Sequence, residues 1–259
     1  MPRLSQLSRS IASKVAIVTG AASGMGRATA HLFADEGAHV AVVDQNGDGV
    51  SKVTDEISAA GGSAAGWALD ISDTVVLAKM VTEVVEKFGG LDILINNAGI
   101  SRAAPIDHED YDAAWARTFE VNLTAQVRLI RLALPHLLAS GAGRIVNIAS
   151  TEGLGASAFA SPYTAAKHGV VGLTRSLAVE LGSRGVTVNC ICPGPIHTGM
   201  TEAIPEPAKT KFARRRVPLR RYGAPEEVAH GTLNFVLPAS SYINGAVMQV
   251  DGGLLVQNT

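Results

Sequence analysis

The chain has 259 residues, 47% of them hydrophobic and only 5% aromatic, with a formal net charge of −1. The length suits one α/β domain, and the aliphatic bias suits a parallel sheet buried on both faces. Balanced charge leaves no global field to draw in nucleic acid or an acidic membrane surface. No apolar run reaches membrane-spanning length, and the two cysteines and seven histidines have no metal-ligand spacing.

The first ten residues are polar and lack a secretory apolar region, so 1–13 read as a flexible extension of a cytoplasmic protein. Strand-like apolar runs follow at 15–19, 40–43, 64–69, 93–96, 144–149, 186–191 and 247–250. Helical patterns lie between them, near 24–36, 48–60, 73–88, 110–139, 162–183 and 225–237. Strands alternating with helices predict a doubly wound, Rossmann-like parallel sheet with helices on both faces, as a single domain over 14–259. Ligand should then bind at the C-terminal ends of the strands. Cys190 and Cys192, in the sixth run, are read as alternating to opposite faces and unable to bond to each other. Prolines 193, 195, 205, 207 and 218 rule out one long helix in the stretch from Pro193 to Pro225, a long connection of the kind that is usually functional. Its basic run, Arg214 to Arg216 with Arg220 and Arg221, reads as solvated surface or a subunit contact.

Three sets of residues carry the chemistry. Gly20, Gly24 and Gly26 follow the first run directly and open the first helical pattern. Unpaired N–H groups and the helix dipole make such a turn an anion site, and a dinucleotide pyrophosphate is the expected occupant. Asp44 ends the second run, roughly 20 residues on, where an acid can bond the adenosine ribose hydroxyls. Tyr163 and Lys167 are four residues apart, on one face of a helix, and Ser150 closes the fifth run. A free tyrosine is a poor base at neutral pH, but a neighbouring ammonium is expected to lower its pKa. The tyrosine can then exchange a proton with a reacting hydroxyl or carbonyl while Ser150 holds the oxygen.

With these pieces in order, the chain resembles the short-chain dehydrogenase/reductase family from Lys14 to Gly253. The matching residues are Thr19-Gly20 through Gly24-Met25-Gly26, Asp70, Asn96 to Gly99, Asn122, Ser150, Tyr163, Lys167, Pro193 to Thr198 and Val250 to Gly253. The resemblance implies that Gly20, Ser23, Gly24, Met25 and Gly26 cradle a pyrophosphate. Asp70 and Ile71 would flank the adenine, and Asn97, Ala98 and Gly99 would pass beside the adenosine and its ribose. Pro193, Gly194, Ile196 and Thr198 would close on the nicotinamide. Tyr163 would be the acid/base, Lys167 its tuner and a ribose ligand, and Asn122 the support of a water leading protons away from Lys167. Family members that use NADP often carry a basic residue near Ser23 or just after the acid. Ser23 and Gln45 are uncharged here, so the expected cofactor is NAD.

Substrate is expected to meet Ser101, Ser150, Thr151, Glu152, Phe159, Tyr163, Met200 and Ile204, a largely small or apolar set. That favours a hydrophobic secondary alcohol or ketone, cyclic, terpenoid or steroid-like. One alternative is a 3-oxoacyl-[acyl-carrier-protein] reductase. Such enzymes present basic residues to their carrier, and these are missing from the segments 136–142 and 176–180. The other is a non-catalytic cofactor-binding scaffold, which would be expected to lose Tyr163, Lys167 or Ser150. The patterns at 110–139 and 162–183 each bear more apolar surface than one sheet face can cover, and the resemblance implies that they pair across two-fold axes in a homotetramer, with a dimer as the fallback. It also implies that the stretch near 195–222 is the substrate lid.

Overall fold

The computed structural model describes residues 4–257; residues 1–3 of the extension, and 258–259 at the other end, lie outside the described residues. Among the described residues seven parallel strands form one sheet, in the order β3-β2-β1-β4-β5-β6-β7. They are β1 Val15–Thr19, β2 His39–Asp44, β3 Ser63–Ala68, β4 Ile93–Asn96, β5 Arg144–Ile148, β6 Thr187–Pro193 and β7 Val247–Val250. The order reverses between β1 and β4, which opens a crevice at their C-terminal ends.

Burial on both faces explains the unbroken apolar runs. In β1, Ala16 and Val18 enter a core with Phe33 of α1 (Gly24–Asp35) and Val228 and Phe235 of α9 (Pro225–Val236). Val15 and Ile17 enter a second core on the other face. There they meet Leu77 and Met80 of α3 (Thr74–Phe88) and Leu129 and Leu137 of α5 (Ala125–Ala139). Helix α2 (Gly47–Ala59) starts at Asn46, whose side chain accepts from the Gly49 N–H; α3 starts at Asp73, which accepts from Val75 and Val76. Helix α6 (Ser161–Gly182) opens with a proline in its first turn, where the missing N–H removes no helical bond.

Three local readings differ from expectation. The pattern at 110–139 is not one regular helix: α4 (Tyr111–Phe119) passes through a π turn at Glu120–Thr124 into α5. The inserted residue resets the helix faces, which a hydrophobic period cannot reveal. Cys190 and Cys192 do not face opposite ways. Residues two apart on a strand share a face, and both thiols lie free in one small core with Ala149, Val170 and Val171. In the stretch read as a flexible extension, Ile11 is fully buried. The Ser8 carbonyl accepts from Ala239 and the Ser13 N–H donates to Gly37, so residues 8–13 are held along α1 and the end of α9.

The stretch expected to be a lid contains α7 (Gly199–Glu202) and α8 (Glu206–Arg216). Its base is closed by a bridge between Ile196 and Gly223, with His197 N–H donating to Gly223 and Gly223 N–H to Pro195.

Candidate active site

The turn after β1 is packed against the end of β4. Thr19 makes the join: its hydroxyl donates to the Ile95 carbonyl and accepts from the N–H groups of Asn97 and Ala98. Asn97 returns its side-chain amide to the carbonyls of Thr19 and Gly20. Gly20 has φ +65°, a left-handed conformation that disfavours a side chain. At Gly26 a Cβ would stand 2.1 Å from the Gly20 carbonyl oxygen and 2.5 Å from the Asn97 amide. Ser23 occupies the N-cap of α1, yet its exposed hydroxyl makes no capping bond. The first turn of α1 therefore offers its N–H groups and this hydroxyl outward.

Asp44 lies half-buried beside that turn and accepts from the N–H groups of Ala22 and Asn46. A pocket joins Gly20, Asp44, Gln45, Asp70, Ile71, Ala98 and Gly99, with Leu69, Ile100, Arg117 and Val121 completing the wall. Arg117 had no signal in the sequence. It reaches Asp70 from 47 positions away, donating to that carboxylate at 3.0 Å and to the Ser72 hydroxyl at 3.0 Å. The bonds from Ser72 and Arg117 outweigh partial burial and hold the Asp70 carboxyl below the usual carboxylate range. These walls fit a dinucleotide: a glycine cradle a Cβ would fill, a free helix N-terminus, and an acid aligned with an apolar slot. Pro193 ends β6, and Gly194 N–H donates to Val250 of β7. Ile196 is buried at the base of the stretch expected to be a lid, while Gly24 and Thr198 adjoin in the lining of a neighbouring groove, a Cβ at Gly24 falling 3.2 Å from the Thr198 side chain. Met25 instead packs half-buried against the core beneath α1.

Ser150, Tyr163 and Lys167 converge at the C-terminal end of β5. Helix α6 is fastened to the sheet by buried amides: Asn96 of β4 donates to Asn147 of β5, which donates to Thr174 of α6. Leaving one of these groups unpaired would cost about 1–3 kcal/mol. Lys167 is buried, its ammonium donating to the Ile148 carbonyl at 2.8 Å and standing 5.6 Å from the centre of the Tyr163 ring. Burial lowers its pKa to about 8.

Tyr163 does not show the lowered pKa expected of a lysine neighbour. Burial dominates and pushes the phenol above its ordinary range, the Ser150 hydrogen bond opposes it, and Glu152 and Cys192 add to the rise. Desolvation of the phenol itself thus outweighs its neighbours, while the Lys167 ammonium is bonded to the Ile148 carbonyl. Asn122, in the π turn, braces the site: its side chain donates to the Ile100 carbonyl and accepts from the Ile100 N–H, both at 2.8 Å. A Cβ at Gly99 would lie 3.2 Å from the Asn122 side-chain oxygen and 3.6 Å from the Lys167 ammonium, so that glycine lets the two approach.

Of the residues expected to meet substrate, Ser150, Thr151, Glu152 and Tyr163 gather at this point. Thr151 and Glu152 form a tight turn after Ser150, whose hydroxyl accepts from the Glu152 N–H. Ser101 is exposed beyond β4. Phe159 is 66% exposed at φ +64°, its carbonyl accepting from Ala104. Met200 and Ile204 are exposed on the lid. His168 is exposed and bonds back to the Thr164 carbonyl, while His197 packs its ring on Tyr222 at 5.2 Å.

The family model described as enoyl-(acyl carrier protein) reductase matches residues 20–255. Curated relatives span almost the whole chain. The (2S)-[(R)-hydroxy(phenyl)methyl]succinyl-CoA dehydrogenase subunit of Thauera aromatica is 41% identical, over 94% of this chain and 97% of that one. The meso-2,3-butanediol dehydrogenase of Serratia marcescens is 42% identical, over 93% and 94%. A 3-oxoacyl-[acyl-carrier-protein] reductase of Thermotoga maritima is 39% identical, over 94% and 98%. Among solved structures, a Beutenbergia cavernae protein provisionally described as an NAD(P)-dependent gluconate 5-dehydrogenase, with NADP at low occupancy, superposes with a TM-score of 0.90. It is 39% identical and covers 96% of this chain and 99% of its own.

Proposed function

The chain belongs to the short-chain dehydrogenase/reductase family, and from that premise we propose that it is an NAD-dependent oxidoreductase interconverting a hydrophobic secondary alcohol and its ketone. The observation that carries the reading is the convergence of Ser150, Tyr163 and Lys167 beside the glycine cradle at one end of the sheet. When bound, the nicotinamide supplies the acceptor or donor for hydride. The rest is the work of this chain. Ser150 holds the reacting oxygen, and Tyr163 takes the hydroxyl proton in oxidation and returns it in reduction. Lys167 keeps a positive charge over the phenol ring and would hold the ribose. Asn122 keeps the Gly99–Ile100 backbone against Lys167. The raised proton affinity of Tyr163 favours reduction at neutral pH and oxidation at alkaline pH.

Asp44 supports NAD, since its carboxylate would bond ribose hydroxyls and repel a 2′-phosphate, and no cation stands at Ser23 or Gln45. The small-molecule reading draws on the apolar, neutral side chains at Phe159, Met200 and Ile204. The rival reading, 3-oxoacyl-[acyl-carrier-protein] reduction, draws on the Thermotoga maritima relative. Against it, the segment 176–180, where Val179 is 86% exposed, carries no cation of its own, although Arg175 stands exposed one turn earlier on α6. That exposed valine, with Trp115 at 39% on α4, supports assembly into a homotetramer, with a dimer as the fallback. Among the described residues no helix is long and apolar enough to cross a membrane.

The test follows NADH and NADPH absorbance across a panel of secondary alcohols, ketones and 3-oxoacyl thioesters. Turnover of cyclic or aryl alcohols with NAD supports the reading. Turnover confined to thioesters with NADPH would replace it with the rival, and light scattering at micromolar protein decides the assembly.

A further inference from the structure

Glu152 was expected to touch substrate, yet its carboxylate is engaged by the protein. One oxygen accepts from the Ser157 N–H at 2.9 Å and from the Thr164 hydroxyl at 2.6 Å, and the other from the Ser157 hydroxyl at 2.6 Å. Its own N–H donates to the Ser150 hydroxyl at 3.1 Å. Thr164 directly follows Tyr163, so a single residue touches Ser150 at one end and the first turn of α6 at the other. Charge-assisted bonds of this length are the stronger kind. The loop they cross is under tension, since Phe159 sits at φ +64°, a conformation that costs a non-glycine residue about 1–2 kcal/mol. Its far side is pinned where the Phe159 carbonyl accepts from Ala104 at 2.8 Å.

We propose that Glu152 is a positioning residue: its carboxylate clamps the loop 153–160 against the Tyr163 helix and holds Ser150 and Tyr163 in working register. The proposal rests on reading Tyr163 as the acid/base. The clamp has an electrostatic consequence. Around the phenol stand Glu152 from the loop, the Cys192 thiol from β6, Ser150 after β5, and Lys167 from its own helix. Glu152 is the anionic side chain among them, and it strengthens the phenol's hold on its proton. The same residue that sets the geometry therefore raises the pH at which oxidation begins.

The experiment compares Glu152→Gln, Glu152→Ala and the double variant Ser157→Ala/Thr164→Val, which keeps the charge and removes side-chain donors. Hydrogen exchange over 153–160 reads the clamp without any substrate. Ultraviolet difference titration against Tyr163→Phe, in each background, reads the phenol. The pH profile with the best alcohol of the panel reads catalysis. Glu152→Ala and the double variant are expected to lose loop protection and to lower kcat/KM about tenfold or more, the loss of one or two charged hydrogen bonds. Glu152→Gln, which retains acceptor capacity, should restore much of the protection while moving the phenol titration and the oxidative limb to lower pH. Parent-like exchange in both Glu152→Ala and the double variant would overturn the clamp, and a phenol titration unmoved in Glu152→Gln would overturn its electrostatic consequence. If Glu152→Ala does not fold, the double variant and Glu152→Gln decide. If the parent oxidises no alcohol, the functional reading fails by itself, and exchange and absorbance still decide this one.

Discussion

The glycine turn at Gly20–Gly26 and the stretch proposed as a lid, Pro195 to Tyr222, adjoin at Gly24 and Thr198, which line one groove. They are held by different physics. The turn is over-determined: Thr19 and Asn97 lock it to β4 through buried hydrogen bonds, and backbone fills the space where side chains would stand. The lid is tied to the fold at its base, through Ile196 and Gly223, and then presents Met200, Ile204 and Phe212 to solvent. A wall that admits one backbone shape serves a ligand part shared by every reaction of a family. A wall of exposed side chains on short helices serves the part that differs. Specificity can thus change in the lid without disturbing the cradle.

Substitutions at the two walls should differ in size and in kind. Tyr163→Phe, which removes only the hydroxyl, should lower turnover by a factor on the order of 10² to 10⁴. NADH binding, read by fluorescence quenching, should be retained. Near-parental turnover would show that the proton travels by another group and would remove Tyr163 from the site.

Gly26→Ala places a methyl 2.1 Å from the Gly20 carbonyl oxygen, and neither backbone can yield cheaply. The expected destabilisation is about 1–3 kcal/mol, with a loss of NADH affinity that a urea midpoint and a binding titration separate. Normal values in both would mean that the turn is looser than its packing implies.

Lys167 gives a stability signature in the cradle half. Burial lowers its pKa from 10.5 to about 8, so between those values the unfolded chain binds more protons than the folded one. Stability contributed by this group therefore rises with pH from about 8 towards 10.5 and is weakest below pH 8, with a span of a few kcal/mol at most. Tyr163, whose folded pKa is raised, acts in the opposite sense above pH 10, and the buried thiols of Cys190 and Cys192, shifted up and down respectively, add to the slope near pH 9, so the contribution of Lys167 is read as a difference between two proteins. Urea midpoints from about pH 8 to 10 should rise more steeply in the parent than in Lys167→Met. Parallel curves would place the ammonium in water.

Asp44→Ala should weaken NAD by roughly tenfold to a hundredfold, the value of hydrogen bonds to a charged group, and leave NADP nearly unchanged, so the ratio of the two kcat/KM values narrows. An unaltered ratio would move cofactor choice elsewhere. On the lid, Met200→Ala should raise KM for the alcohol by about tenfold or less, with kcat and NADH affinity near the parent values, the scale of an apolar contact. A large fall in kcat would mean that the lid takes part in assembling the catalytic residues.

Local features were legible in the chain because their physics is local. Seven apolar runs became seven strands within a few residues of their expected limits; burial on both faces demands unbroken aliphatic sequence in the inner strands, while the edge strands β3 and β7 are only partly covered. The Gly20–Gly26 turn and the Tyr163–Lys167 spacing lie within single stretches of chain, so period and residue type suffice to find them. Contacts between distant segments left no such trace. Arg117 on Asp70, and Thr19 beneath Asn97 and Ala98, arise when separate elements pack together. The π turn around Asn122 depends on how α4 and α5 settle over the sheet, and the paired face of Cys190 and Cys192 on the strand's pleat. The proton affinity of Tyr163 does not follow from its neighbour in sequence. Burial sets it, and burial exists only once α6, β5 and β6 have closed around the phenol. The layered fold and the residues proposed to react could be read from the chain alone. Their spacing, their proton affinities and the clamp proposed for Glu152 arise only on packing, because desolvation and long-range hydrogen bonds depend on which surfaces meet.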